Sequence, residues 1–158
     1  MTIAPGQALP PGELHEGSPG KRHDPAKLFA SGKHILFGVP GAFTPGCSKT
    51  HLPGYVADHE AFAAKGVDSL NCIAVNDAFV MAAWGEAHSA DGKVRMLADP
   101  AADYTKALGL EVDAKVLGGL RSKRYAMLIE DGVVKALQVE PDGFGLSCSL
   151  SNALLDQI

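Results

Sequence analysis

Hydrophobic positions recur along the chain with two spacings, one typical of buried strands and one typical of helices that bury a single face. Short apolar runs bounded by turn-forming residues predict strands at 33–39, 67–75, 94–98, 124–130 and 133–139. Apolar residues at helical spacing predict helices at 25–30, 44–53, 55–66, 77–90, 103–108 and 149–158. We expect Pro53 to end or kink the second of these helices, because proline has no amide hydrogen to donate.

The order of these elements predicts the fold. The first three strands alternate with helices, whereas the last two are joined across Asp131 and Gly132, a strong hairpin-turn pair. Crossover helices imply a parallel core, to which the hairpin adds antiparallel strands at one side. We therefore predict an α/β protein with a thioredoxin-like three-layer sandwich, a central mixed β-sheet flanked by helices. No repeat or linker divides the chain, so we expect one domain over residues 1–158.

The charge balance narrows the choice of partners. The chain has 158 residues with 14 Lys and Arg against 18 Asp and Glu, a net charge of −4 with His neutral. This mild acidity gives no reason to expect nucleic acid or anionic lipid as a partner. No apolar run approaches the roughly 18 residues of a membrane span. The first 20 residues contain no apolar segment typical of a secretory signal. We expect an intracellular protein, with the cytoplasm, mitochondrion and peroxisome all possible.

Three cysteines are too few for a disulfide scaffold in a chain that is long enough to form a core without one. Cys72 lies in the middle of a predicted strand, where a thiol usually packs as a small hydrophobic group. Cys148 lies in a Gly-rich loop before the last helix, so we expect it to be exposed and mobile. It is either a partner for another thiol or an unpaired surface cysteine.

The segment that follows the first predicted strand carries the strongest chemical pattern, Pro40-Gly41-Ala42-Phe43-Thr44-Pro45-Gly46-Cys47. Thr44 is a good N-cap residue and Pro45 suits the first helical position, which places Cys47 in the first helical turn. Free amide groups and the helix dipole there favour a thiolate. Gly46 leaves room beside the sulfur for a small substrate. The pattern indicates a nucleophilic or redox cysteine, with a buried small hydrophobe as the alternative.

Other chemistries find less support in the sequence. Cys47 and His51 are spaced i, i+4, which is half of a zinc site, but no second ligand pair follows. We expect no metal, and we assign His51 as a helix-surface or packing residue. No phosphate-binding or hydrolase motif is present, and no cofactor is expected. The pattern Thr44-x-x-Cys47 replaces Cys-x-x-Cys, and no proline precedes the hairpin, which argues against a thiol–disulfide exchange enzyme.

These residues resemble the peroxiredoxins. The pattern Pro40-x-x-x-Thr44-x-x-Cys47 is similar to that family's active-site motif. The longer string 37–54 resembles the peroxiredoxin-5 type, as do residues 75–79, residues 97–100, and the pair 131–132 followed by 139–143. The resemblance covers essentially the whole chain.

The resemblance implies a thiol-dependent peroxidase that reduces hydrogen peroxide, alkyl hydroperoxides and peroxynitrite. It implies that Cys47 is the peroxidatic cysteine, which becomes a sulfenic acid. It also implies that Cys148 is the resolving cysteine, which forms an intramolecular disulfide that thioredoxin reduces. Thr44 would orient the peroxide, and Arg124 would stabilise the thiolate and the developing charge.

The resemblance also implies lesser roles. The Gly46 amide would help to hold the peroxide, and Pro40 would shield the sulfur from water. The stretch from Asp113 to Arg121 would form the pocket wall and the contact of a non-covalent homodimer. Two alternatives stay open: a one-cysteine peroxidase that uses an external thiol, and a non-catalytic thioredoxin-like module for redox signalling.

Overall fold

The computed structural model describes residues 1–158 and contains nine strands. In chain order these are β1 (Leu14–Glu16), β2 (Ser18–His23), β3 (Lys33–Gly38), β4 (Ser69–Ala74), β5 (Arg95–Ala98), β6 (Glu111–Ala114), β7 (Gly119–Ser122), β8 (Tyr125–Glu130) and β9 (Val133–Val139). The helices are α1 (Pro25–Leu28), α2 (Leu52–Ala57), α3 (His59–Ala64), α4 (Ala78–Ala87), α5 (Asp103–Leu108) and α6 (Ser151–Leu155). A π-helical turn spans Cys47–His51, and a 3₁₀ turn spans Lys115–Leu117.

Seven strands form one mixed sheet in the order β2-β1-β5-β4-β3-β8-β9. The pairs β3–β4 and β4–β5 are parallel, whereas β8 and β9 add antiparallel strands at one side. Buried apolar side chains form one core on each face of this sheet. The five predicted strands and their mixed arrangement are confirmed.

Two hairpins were not predicted from the hydrophobic pattern. The strands β1 and β2 form an antiparallel pair that extends the sheet beyond β5. Most side chains of β2 are exposed, so this strand carries no alternating apolar pattern that a sequence could show. The second hairpin, β6–β7, lies outside the main sheet and turns at Gly118, whose φ is +98°. The glycine allows this left-handed conformation.

The helix that was predicted from residue 44 takes an unexpected form. It begins at Pro45, widens into the π-helical turn, and continues as α2 from Leu52. The Leu52 amide donates to the Cys47 carbonyl, five residues back. Pro53 was expected to end or kink the helix. The helix does not end there: Pro53 comes directly after the π-helical turn, where the regular i→i−4 hydrogen bonds are already interrupted.

The face of the sheet behind this helix is aromatic. The ring of Tyr55 stacks on Phe37 at a centroid distance of 4.0 Å, and Phe62 lies 5.6 Å beyond it. Trp84 of α4 donates from its indole nitrogen to the Ser48 hydroxyl at 2.9 Å. These contacts hold the segment that carries Cys47 against the rigid sheet. None of the helices is both long and apolar enough to cross a membrane.

Candidate active site

The loop before Cys47 is held where two neighbouring parallel strands end. The Val39 amide donates to the Ile73 carbonyl at 3.1 Å, which continues the pairing of β3 and β4 by one residue. The Ala42 amide donates to the side chain of Asn76 at 2.9 Å. Pro40, between them, is buried. Open α/β folds place their sites at these carboxyl ends of strands, so the loop stands in a favourable position.

Thr44 starts the helix, but its side chain does not cap it. The Ser48 amide donates to the Thr44 carbonyl at 2.9 Å, as the predicted N-cap position requires. The Thr44 hydroxyl, however, donates to the Gly41 carbonyl at 2.7 Å, within the loop. The proline at the next position removes one amide that would need a cap. The hydroxyl oxygen is therefore fixed in direction and keeps lone pairs that can accept a hydrogen bond.

Cys47 is fully buried in the first turn of this helix. No protein group accepts a hydrogen bond from the amide N–H of Gly46 or of Cys47. Unpaired amides at a helix start are donors for a negatively charged or strongly polar atom. The thiol thus lies beside two donors that a small oxygen-bearing molecule could use.

Arg124 lies beside this turn with a buried guanidinium. The residue is 4% exposed, and no carboxylate comes within ion-pair distance of it. Its Nε donates to the Phe144 carbonyl at 3.2 Å. A Cβ at Gly46 would lie 3.0 Å from Nη2 of Arg124 and 3.3 Å from Leu146, so glycine is required for this approach. A buried cation with no carboxylate partner favours an anion beside it.

His51 proves to be part of the site, and the prediction of a helix-surface or packing residue is incomplete. It is fully buried and lies one helical turn after Cys47. Its Nε2 lies 3.1 Å from the Ser149 carbonyl, and its Nδ1 lies 3.0 Å from Nη1 of Arg124. Because a carbonyl only accepts, Nε2 carries the proton and Nδ1 accepts from the guanidinium. The i, i+4 spacing from Cys47 was the only local sign of this role.

The neutral form of His51 is required for these two hydrogen bonds. Burial and the neighbouring Arg124 charge lower the pKa of His51 to about 3. Protonated imidazole would place a second positive charge against the guanidinium and would lose its acceptor atom. His51 therefore fixes the orientation of the Arg124 guanidinium by accepting its hydrogen bond, although the two residues are 73 positions apart in the sequence.

The folded protein is expected to lose stability as the pH falls below about 6.5, because unfolded His51 then binds a proton that folded His51 excludes. The loss continues down to the lowered pKa of about 3. Between about pH 7.5 and about pH 5 it should amount to about 2 kcal/mol. Urea unfolding at the two pH values measures it. The control His51→Gln, which does not titrate, should show a flatter dependence, and parallel curves for the two proteins would contradict the assignment.

Cys148 is half-buried rather than fully exposed, and its segment is held in place. The Sγ atom lies 3.6 Å from the Val139 carbonyl. The carbonyl of the next residue, Ser149, accepts from the hydroxyl of Tyr55 at 2.7 Å as well as from His51. Cys148 is therefore less exposed than predicted. The glycines of this loop serve tight turns, and polar contacts that are distant in sequence restrain it.

Cys72 is fully buried in β4, as predicted. Burial raises the pKa of its thiol well above the ordinary value, and the neighbouring Cys47 adds to the effect. A thiol of this kind stays protonated and is a poor nucleophile. No group of three or more His, Cys, Asp or Glu side chains is placed to hold a metal ion.

The site combines a buried cysteine with an arginine and two free amides, on a mixed sheet with the strand order given above. These features define a protein of the thiol-based redox class. The family model described as Redoxin matches residues 4–153. The chloroplastic peroxiredoxin-2E-2 of Oryza sativa subsp. japonica is 47% identical over 150 residues, covering 90% of this chain and 67% of the rice protein. The chain belongs to the Redoxin family and, within it, to the peroxiredoxins.

Solved structures agree with this assignment. Reduced Prx3 from Vibrio vulnificus, determined in complex with h2o2, has a TM-score of 0.94 and 49% identity, covering 99% of this chain and 100% of that chain. Peroxiredoxin 5 from Alvinella pompejana has a TM-score of 0.84 and 43% identity, covering 98% of each chain. The predicted thioredoxin-like mixed sandwich and the predicted thiol-dependent peroxidase activity are confirmed.

Proposed function

We propose that Cys47 is the peroxidatic nucleophile of this peroxidase and that hydrogen peroxide and alkyl hydroperoxides are its substrates, with peroxynitrite as a third. The Cys47 thiolate attacks one peroxide oxygen, an S–O bond forms, and the O–O bond breaks. The products are a Cys47 sulfenic acid and a hydroxide or alkoxide, which takes up a proton and leaves as water or alcohol; with peroxynitrite the leaving group is nitrite. The burial of Cys47 beside Arg124 carries this proposal.

The surrounding groups suit the charge that develops in this step. The Arg124 guanidinium stabilises the thiolate and then the leaving oxygen. The Gly46 and Cys47 amides donate to the peroxide oxygens, because no protein acceptor competes for them. The Thr44 hydroxyl oxygen accepts from the peroxide, since its own proton is engaged with Gly41. Pro40 adds no donor to the loop and helps to exclude water from the sulfur.

Cys148 is proposed to resolve the sulfenic acid. Its thiol attacks the oxidised Cys47 sulfur, an S–S bond forms, the S–O bond breaks, and water leaves. The disulfide lies within one chain, and thioredoxin reduces it with two electrons. Partial exposure of Cys148 and the two contacts of Ser149 with the Cys47 helix support this pairing.

Treatment of the reduced protein with one equivalent of hydrogen peroxide is expected to yield a linked Cys47–Cys148 tryptic pair on mass spectrometry. The variant Cys148→Ser should consume one equivalent but lose turnover with thioredoxin. Full thioredoxin-dependent turnover in that variant would favour the one-cysteine mechanism with an external thiol, and a linked Cys47–Cys72 pair would contradict the resolving role.

A non-covalent homodimer is also proposed. Phe43, Phe79 and Val116 are large apolar side chains that are more than half exposed, and they lie on three segments that meet around Arg121. Arg121 joins two of these segments by donating to the Val75 and Leu117 carbonyls. Exposed apolar side chains grouped in this way are typical of an interface. Sedimentation of only a monomer at micromolar concentration would contradict the proposal.

The proposed location is an intracellular, reducing compartment, because the proposed cycle needs a thiol reductant. The organisation of residues 1–158 as a single domain stays a prediction.

A further inference from the structure

One buried carboxylate holds both neighbours of Cys148. Glu140 follows β9 and is 1% exposed. Its Oε2 accepts from the Ser147 amide at 3.0 Å, from the Ser149 amide at 2.8 Å and from the Ser149 hydroxyl at 2.6 Å. Its Oε1 accepts from the Ser147 hydroxyl at 2.7 Å. No ion pair of the molecule involves Glu140, so these four donors are its direct partners.

The hydrogen bonds are strong enough to keep Glu140 ionised. Burial by itself raises the pKa of Glu140, but the hydrogen bonds from Ser149 and Ser147 outweigh that effect and lower it to about 2. Hydrogen bonds to a charged acceptor are worth more than neutral ones. The backbone on both sides of Cys148 is therefore tied to a single charged group.

Cys148 cannot move without disturbing this arrangement. The thiol lies between the two serines, and its own contact is with the Val139 carbonyl next to Glu140. Burial and the Glu140 charge also raise the pKa of the Cys148 thiol. Cys148 is thus restrained in position and its thiol is kept protonated. Both effects oppose resolution, because Cys148 must move away from Val139 and attack the Cys47 sulfur.

We propose that Glu140 is a positioning residue that restrains Cys148 and thereby sets the lifetime of the Cys47 sulfenic acid. The inference rests on the proposed resolving role of Cys148. Both cysteines are free thiols and Cys148 Sγ contacts the Val139 carbonyl, so disulfide formation requires Cys148 to leave that contact and to pull on the two serines that Glu140 holds. A longer-lived sulfenic acid can be captured by an external thiol, or by a second peroxide to give a sulfinic acid. Glu140 controls the balance between these fates.

The test compares wild type with Glu140→Gln, a substitution that keeps the size and removes the charge. Each protein is mixed with one equivalent of hydrogen peroxide, quenched with dimedone at successive times, and mapped by mass spectrometry. We expect the Cys47 sulfenic acid to disappear about tenfold faster in Glu140→Gln, with the Cys47–Cys148 disulfide forming at the same faster rate. The rate of Cys47 oxidation should stay unchanged. A loss of structure would instead lower both rates.

Ser147→Ala provides a second variant, because it removes one of the four hydrogen bonds and keeps the charge. It should give a smaller acceleration, and it carries the test if Glu140→Gln fails to fold. Glu13→Gln, at an exposed carboxylate of the distant β1–β2 hairpin, is the matched control. Equal or slower resolution in both Glu140→Gln and Ser147→Ala overturns the inference and leaves the proposed function standing. Absence of any Cys47–Cys148 link in wild type overturns both.

Discussion

Replacement of Cys47 by serine is expected to lower kcat/KM for hydrogen peroxide by at least about 10⁴-fold, the scale seen when a catalytic nucleophile is removed. A hydroxyl in the same place is not ionised near neutral pH, so the amides of the first helical turn and the Arg124 charge have no thiolate to stabilise. The measurement is the rate of peroxide consumption by Cys47→Ser in stopped flow, with reductant in excess.

Cys72→Ala serves as the control for this prediction. Its thiol lies in the same core and is equally hidden from solvent, yet burial keeps it protonated. We expect its kcat/KM to stay within about twofold of wild type. If Cys47→Ser retained most of the activity while Cys72→Ala lost it, the assignment of the nucleophile would be reversed. Slow peroxide consumption by wild type itself would point to the redox-signalling module.

The parts of the fold that were predictable from the sequence are those whose cause is local. The strand at Lys33–Gly38 is an apolar run, and the hairpin at Asp131 and Gly132 uses a turn pair with few alternatives. The position of Cys47 in a first helical turn was predicted from Thr44 and Pro45. Pro45 opens the helix as expected, although the Thr44 hydroxyl donates to the Gly41 carbonyl and does not cap it. In each case the local structure is determined by residues that are adjacent in the sequence.

The parts that were not predictable depend on contacts between distant segments. His51 looks like an ordinary helix residue until Arg124 and Ser149 are brought to its two nitrogens. Glu140 has no recognisable pattern of its own, since its partners lie in the loop that follows. The strand β2 pairs through its backbone at a sheet edge, so its side chains show no apolar alternation.

The same distinction applies to Cys148, which is less exposed than its loop sequence predicted. Glycines near Gly143 indicate flexibility when only the chain is considered. In the folded protein the Arg124 amide donates to the Gly143 carbonyl at 2.7 Å, and the Arg124 side chain donates to Phe144. The arginine next to the nucleophile thus also holds the loop that leads to the second cysteine. A change at Arg124 should therefore affect both halves of the proposed cycle.

Arg124→Lys is expected to lower kcat/KM for hydrogen peroxide by about 10²- to 10³-fold, the effect of losing a preorganised donor at a developing negative charge. The planar guanidinium of Arg124 reaches the Phe144 carbonyl, His51 and the Gly46 turn at the same time. Lysine keeps the charge, but its single ammonium group cannot make these three contacts together. Stopped-flow peroxide reduction measures the loss.

Arg95→Lys is the matched control for the arginine test. Arg95 is also partly buried and donates to the Asn71 side chain at 3.0 Å, but it opens β5 at the end of the sheet away from Cys47. Because it contacts neither the nucleophile nor its loop, its replacement should leave kcat/KM within about twofold of wild type. If Arg124→Lys behaved like Arg95→Lys, the guanidinium would not act on the reacting oxygen. The two unpaired amides at Gly46 and Cys47 would then have to stabilise the developing charge alone.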